Sequence, residues 1–132
     1  MENQKPTLID ALRGGLISGV IAAVINGVWN LAAQPLLNIQ VPLIGLVQTT
    51  MASILPMLFG GILFFLLAKF TGKGKMTFVV ISAVFTIVSL YGTVQPVLPD
   101  GTPAPDGFTL LTMPMHLIAG AVAIWGIPKF SK

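Results

Sequence analysis

Residues 12–33 read LRGGLISGVIAAVINGVWNLAA, and this stretch decides the fold class of the chain. Arg13 is its only charged side chain, and most of the other residues are aliphatic or small. A helix of about 20 apolar residues crosses the hydrocarbon core of a bilayer, because each residue adds about 1.5 Å to a path of about 30 Å. The stretch therefore predicts a membrane-spanning helix.

The same pattern predicts four spans in all, at about residues 12–33, 44–68, 76–94 and 108–127, joined by short loops. Of the 132 residues, 55% are hydrophobic and 8% are charged, and the mean hydropathy is +0.91. Soluble domains carry about 25% charged residues, so this composition excludes a soluble globule. The sequence predicts an all-α membrane protein, a four-transmembrane-helix bundle that forms one integral membrane domain over residues 1–132.

The positive charges all fall on one side of this predicted bundle. Neither the first nor the third loop contains one; the seven are Lys5, Arg13, Lys69, Lys73, Lys75, Lys129 and Lys132. Because short loops rich in Lys and Arg stay in the cytoplasm, we expect a multi-pass protein of the cytoplasmic membrane with both termini inside. Asp100 and Asp106 then lie outside. Single cations at the ends of apolar runs also favour the lipid bilayer, and not nucleic acid, as the partner.

The two halves of the chain share a weak internal repeat. Gln34-Pro35 ends the first span and Gln95-Pro96 ends the third, while Lys69-Phe70 and Lys129-Phe130 close the two halves. This order predicts two parallel two-helix repeats, related by an axis along the membrane normal. The alternative is that aliphatic spans with proline-rich exits resemble one another by chance.

Small residues form a stripe down the first span, with one member at every fourth position. Helices in lipid approach closely where such residues meet, because lipid supplies no hydrophobic drive for packing between helices. The stripe predicts the helix-packing seam of this span. Its members are Gly15, Gly19, Ala23 and Gly27.

Polar side chains gather in the outer half of the predicted bundle. An unpaired amide in hydrocarbon is costly, so we expect Asn26 and Asn30 to point into the bundle. We further expect a polar chamber or a hydrogen-bonded plug that opens toward the outer side. The residues predicted to bind a ligand there are His116, Asn26, Asn30, Gln48, Ser53, Ser89, Tyr91 and Thr112.

His116 is the only histidine of the chain and falls well inside the fourth span. A titratable group at membrane depth is a functional hypothesis by default. It could relay a proton, bond to a quinone or carotenoid oxygen, or ligate a metal or haem. The alternative is a neutral imidazole that bonds to Asn26, Asn30 or Ser89 and holds the bundle together. Methionines near His116 suit Cu(I), but they form no cluster with further ligands, so no metal site is predicted.

Motifs for catalysis are absent from the sequence: it has no phosphate-binding glycine loop, no His-Glu-x-x-His and no pair of intramembrane carboxylates. We expect a non-enzymatic protein that binds a small or lipidic ligand in a polar pocket of the outer leaflet. Equally open is a subunit of a larger complex, with other membrane subunits or a second copy as partners. The alternatives are a small transporter or channel component, and a membrane redox or cofactor-binding protein that uses His116. The ligand and any cofactor stay unidentified.

The fourth span carries a family resemblance. Thr109 and Thr112 lead into Met115-His116-Leu117, and the span closes on Gly126-Ile127-Pro128. This segment resembles an uncharacterised family of small four-span bacterial membrane proteins, a domain of unknown function. The resemblance implies a four-helix bundle in a bacterial inner membrane. It implies no substrate and no catalytic residue.

Overall fold

The computed structural model describes residues 5–94 and 96–132, and four helices make up 77% of these residues. The helices are α1 (Leu8–Leu36), α2 (Leu46–Phe70), α3 (Gly74–Val94) and α4 (Phe108–Phe130). All four are long and apolar enough to cross a membrane, which confirms the predicted all-α class and indicates a multi-pass membrane protein. Gln95, one landmark of the predicted repeat, lies outside the described residues.

The helix α1 begins four residues before the apolar stretch that predicts it. Thr7 and Asp10 form a capping box: the Asp10 amide donates to Thr7 Oγ1 at 3.2 Å, and the Thr7 amide donates to Asp10 Oδ2 at 3.0 Å. These bonds satisfy amides that the first helical turn leaves unpaired. The helix therefore starts at its polar cap and not where the apolar run starts.

Successive helices run antiparallel, so the bundle has two chemically different ends. The N-terminal segment, the α2–α3 turn and the C-terminal residues share one end, here called the basic end. The loops 37–45 and 96–107 share the other, here called the loop end. At the loop end, the start of α4 lies against the first loop: Gly107 has a φ of 85° and directly contacts the Ile39 side chain. A side chain at position 107 would meet both obstacles, the left-handed backbone and Ile39.

The helix α1 is the centre of the packing. It lies against α2 on one side and α4 on the other, while α3 packs on α4 and more sparingly on α2. Within the described residues, α1 and α3 make no contact. Consequently α3 is the most exposed helix, and its buried residues are Gly74, Phe78 and Thr93.

Small residues face both neighbours of α1. Gly15 lies against the backbone of Met57, and Gly19 against Ile54, both on α2. On the next face, Gly14 lies against Ser131, which follows α4 directly, and Ser18 lies against Gly126 of α4. Ala23 is buried, whereas Gly27 is half-buried, with Leu46 Cδ2 in ordinary contact. The helix thus has two packing seams. Gly15 and Gly19 of the stripe face α2, and Gly14 and Ser18 face α4 and the residue that follows it.

A ring pair joins α2 to α3 near the basic end. Phe64 and Phe78 pack edge to face, with ring centroids 5.2 Å apart and an interplanar angle of 71°. Both are buried, together with Ala11, Met57 and Ile127. Aromatic pairs in this geometry add about 0.5–1.5 kcal/mol beyond burial. This pair anchors α3, which otherwise rests on α4.

Candidate functional site

An amide network ties the loop end of α1 to the first loop. Asn30 Nδ2 donates to the Ile44 carbonyl at 3.0 Å, and Gln34 Nε2 donates to Asn30 Oδ1 at 2.8 Å. The Val41 amide in turn donates to Gln34 Oε1 at 3.0 Å. Asn30 and Gln34 lie one helical turn apart, so both reach the same loop.

Asn26, one turn below Asn30, bonds inside the bundle. Its Nδ2 donates to Ser53 Oγ and to the Met115 carbonyl, each at 3.3 Å, and so bridges α1 to α2 and α4. Ser53 Oγ donates to the Thr49 carbonyl at 2.8 Å. Asn26 Oδ1 is buried and has no hydrogen-bond donor within the described residues. We call the group Asn26, Asn30, Gln34, Thr49 and Ser53 the polar plug.

His116 lies outside the polar plug. Its Nδ1 is 3.1 Å from Ser89 Oγ, and that hydroxyl lies 2.7 Å from the Thr86 carbonyl, to which it donates. His116 Nε2 makes no hydrogen bond within the described part of the chain, and the side chain is exposed. One imidazole nitrogen therefore faces outward without a protein partner.

An uncovered face of α3 lies beside this imidazole. Helix positions seven apart share a face, so Phe85 and Gly92 lie on the face of α3 that Phe78 turns toward α2. Phe85 is nevertheless 70% exposed, and no atom of another element lies near Gly92. Ser89 is on the same face, eleven residues after Phe78. Beyond the ring pair, α2 therefore leaves this face of α3 uncovered.

The side of α2 toward the ring pair carries an exposed proline. Pro56 lies seven residues before Leu63, which packs beside the ring pair, and Pro56 is exposed. Proline also removes one backbone hydrogen bond from the helix at this level. We call the exposed surface of Phe85, Ser89, Gly92 and His116, together with Pro56 of α2, the lateral groove.

The lateral groove is at membrane depth. His116 is eight residues from the start of α4 at Phe108, which places it roughly 12 Å below the loop end at 1.5 Å per residue. No Lys or Arg occurs in residues 14–68 or 76–128. The polar atoms that face the groove are therefore a neutral hydroxyl and one imidazole.

Comparison with known families gives one result: the family of unknown function DUF6069 matches residues 7–132. The chain belongs to this family. No curated protein and no solved structure matches it. The expectation of an uncharacterised family is confirmed, and DUF6069 membership brings no activity, ligand or partner with it.

The residues predicted to bind a ligand occupy separate places in this DUF6069 chain. Asn26, Asn30 and Ser53 lie in the polar plug, and His116 and Ser89 lie in the lateral groove. Thr112 is buried, but its hydroxyl donates within α4 to the Phe108 carbonyl at 2.8 Å. Gln48 and Tyr91 are exposed, Tyr91 by 76%. The structure thus brings five of the eight residues into two groups and leaves Thr112, Gln48 and Tyr91 outside both.

Sequence reasoning missed two members of the polar plug, Gln34 and Thr49. The predicted first span ends at residue 33, just before Gln34, yet α1 continues through Leu36. Its spacing of four from Asn30 is the signal that predicts a shared face. Thr49 is 2% exposed, and its hydroxyl accepts from Asn30 Nδ2 at 3.4 Å.

The acidic side chains of the described residues lie outside the polar plug and the lateral groove. In the loop at the loop end, Asp100 accepts hydrogen bonds from the hydroxyl and the amide of Thr102, and these bonds hold the pKa of the Asp100 carboxyl below its ordinary value. The described residues contain no group of three or more His, Asp or Glu side chains that could hold a metal ion.

Proposed function

We propose that this chain is a non-enzymatic membrane protein that binds a lipid with a neutral polar group in the lateral groove. The observation that carries the proposal is the free Nε2 of His116, exposed beside the groove and roughly 12 Å below the loop end. The imidazole would act as a binding residue that accepts a hydrogen bond from the lipid's hydroxyl.

The cost of the exposed imidazole supports this assignment. A polar group in hydrocarbon without a hydrogen bond is unfavourable by several kcal/mol, and Ser89 satisfies one nitrogen of two. Because the Ser89 hydroxyl donates to Thr86, Nδ1 donates to Ser89 and Nε2 is an acceptor, which a ligand hydroxyl would satisfy. Bilayer lipid tails offer no such group at this depth, so a ligand with its polar group there has an advantage over bulk lipid.

The chemistry of the groove walls favours a neutral ligand over a phospholipid headgroup. Phe85, Pro56 and Gly92 are apolar, and the nearest cations in sequence lie at the basic end. A phosphate would therefore be left without a cationic partner in a medium of low dielectric constant. A prenylated quinol, a lipid alcohol or a diacylglycerol has the required neutral hydroxyl.

We also infer the setting in which the groove acts. The positive-inside rule puts the basic end and both termini in the cytoplasm and the groove in the outer leaflet of the cytoplasmic membrane. The bacterial inner membrane fits the uncharacterised family that the fourth span resembles. Two parallel two-helix repeats are supported by the matching ends of α2 and α4, which are Lys69-Phe70 and Lys129-Phe130.

The experiment is native mass spectrometry of the protein taken from its own membrane in lipid nanodiscs. His116→Asn keeps an amide where Nδ1 meets Ser89, whereas His116→Gln keeps an amide where Nε2 faces the groove. We expect wild type and His116→Gln to retain a neutral lipid, and His116→Asn to lose about threefold to tenfold in occupancy, the worth of one hydrogen bond.

Leu117→Ala is the matched control, because Leu117 is the next residue of α4 and is also exposed. This variant should keep the lipid. Equal occupancy in wild type and His116→Asn would contradict the proposal. A retained protein companion in place of a lipid would replace it with the subunit interpretation.

A further inference from the structure

The helices α2 and α4 end in the same arrangement of residues at the basic end. An aromatic residue is followed four positions later by lysine, then by phenylalanine, then by a hydroxyl residue. In α2 these are Phe65, Lys69, Phe70 and Thr71; in α4 they are Trp125, Lys129, Phe130 and Ser131. We call the two sets the twin termini.

The lysine of each terminus is held over two rings. Lys69 Nζ is 5.5 Å from the Phe65 ring centroid and 5.4 Å from that of Phe70. Lys129 Nζ is 4.3 Å from the Trp125 centroid and 5.8 Å from that of Phe130. Both fall within the distance of about 6 Å over which a ring face attracts an ammonium group.

The hydroxyl residue of each terminus closes its helix. Thr71 Oγ1 donates to the Leu67 carbonyl at 2.7 Å, and Ser131 Oγ donates to the Ile127 carbonyl at 2.6 Å. These bonds occupy carbonyls that a helix end leaves free. Neither lysine ammonium is needed for that role.

No carboxylate of the described residues offsets the positive charge of these two side chains. The ion pair in the described residues joins Arg13 to Asp10 at 3.8 Å, and no carboxylate pairs with Lys69 or Lys129. A ring face stabilises an ammonium group without neutralising it. Lys5 Nζ donates to the Lys69 carbonyl at 3.1 Å and brings another positive charge to the end of α2.

We propose that each of the twin termini binds the phosphate of an anionic phospholipid, with the lysine on a phosphate oxygen and the aromatic rings beside the glycerol region. Aromatic side chains favour the membrane–water interface, and lysine reaches from there to the headgroup level. Restraint by the rings lowers the entropy that the lysine loses on binding. The chain then has two equivalent lipid sites at the basic end.

The inference is independent of the proposed function, because the lateral groove lies toward the opposite end and takes a neutral lipid. The probe is phosphatidylglycerol in phosphatidylcholine vesicles, with bound lipid counted by native mass spectrometry. Lys69→Met and Lys129→Met should each weaken phosphatidylglycerol binding about fivefold, since one lysine near an anionic surface contributes about that factor. Phosphatidylcholine binding should stay the same.

The matched control is the double variant Lys73→Met and Lys75→Met, which removes the same charge from the α2–α3 turn, where no ring holds the lysine. It should keep the tightly bound phosphatidylglycerol. Trp125→Leu should weaken the α4 site while Lys129 stays in place, and circular dichroism should show unchanged helix content. An equal loss in this double variant and in the double variant Lys69→Met with Lys129→Met would overturn the proposal. Displacement of phosphatidylglycerol by inorganic phosphate would overturn the lipid as the ligand.

Discussion

Asn26 and Asn30 lie one turn apart on α1, and both are 3% exposed. Their partners differ. Asn30 bonds to the Ile44 carbonyl and to Gln34, whose own partner is the Val41 amide, so it connects a helix to a loop. Asn26 bonds to a hydroxyl that already has another partner and to a carbonyl in the middle of α4, while its Oδ1 stays unpaired.

This difference predicts unequal effects of the same substitution. Asn30→Leu should lower the free energy of unfolding by about 1–2 kcal/mol, because it leaves the Ile44 carbonyl and the Gln34 amide with only the long bond of 3.5 Å between them. Asn26→Leu should have a smaller effect, because it also removes a buried unpaired oxygen. Unfolding in detergent mixtures, followed by circular dichroism, measures both.

Asn30→Asp is a control of nearly the same shape. It keeps the oxygen that accepts from Gln34 and loses the amide that donates to the Ile44 carbonyl. If Asn26→Leu lowers the free energy of unfolding more than Asn30→Leu does, the hydrogen bonds assigned to Asn26 and Asn30 are wrong. The same plug shows what residue types alone convey: two asparagines in an apolar span predict burial, but not their partners.

At the scale of the element, α1 differs from a helix with a single seam. Gly15 and Gly19 contact α2, whereas Gly14 and Ser18 contact α4 or the residue that follows it. A period of four residues drifts around a helix of 3.6 residues per turn, so a stripe of this kind cannot follow one neighbour along the whole helix.

Two members of the stripe should respond oppositely to alanine. Gly15→Ala would push its methyl group into the Met57 carbonyl, and we expect about 1–3 kcal/mol of destabilisation as α1 and α2 separate. Gly27→Ala would make ordinary contact with Leu46 at 3.6 Å. It should be neutral or stabilising by up to about 1 kcal/mol, because alanine favours helix over glycine.

The measurement is again the free energy of unfolding, with Gly92→Ala as a third variant in open space on α3. Equal effects at positions 15 and 27 would contradict the close approach of α1 and α2.

The start of a helix follows a different rule from its packing. Thr7-x-x-Asp10 is a local signal, and it predicts the start of α1 better than hydropathy does.

The molecule has its positive charges at one end and the lateral groove toward the other. The chain contains no cysteine, so orientation can be measured with single introduced cysteines. In intact cells, Pro99→Cys in the loop 96–107 should react with a membrane-impermeant maleimide. Lys73→Cys in the α2–α3 turn should react after permeabilisation, because short basic loops stay inside.

Both positions are exposed, so protection by the fold does not explain a difference between them. Labelling of position 73 in intact cells, with position 99 protected, would reverse the orientation and move the lateral groove to the inner leaflet. Labelling of both in intact cells would show a mixed population.

The sequence alone determined the four apolar helices, because length and hydropathy are properties of consecutive residues. It also indicated that Asn26 and Asn30 turn inward, since an unpaired amide is costly in lipid wherever it lies. The identity of the family followed from the same linear pattern.

The tertiary structure decided which helices meet. Hydropathy treats α3 like the other spans, yet α3 meets α4 at Ser89 and Thr86, and it meets α2 at Phe78 near the basic end. That placement leaves His116 exposed beside Ser89, out of reach of the polar plug. The physical reason is that packing between helices depends on the shapes of faces brought together from distant parts of the chain, which no local pattern of residues encodes.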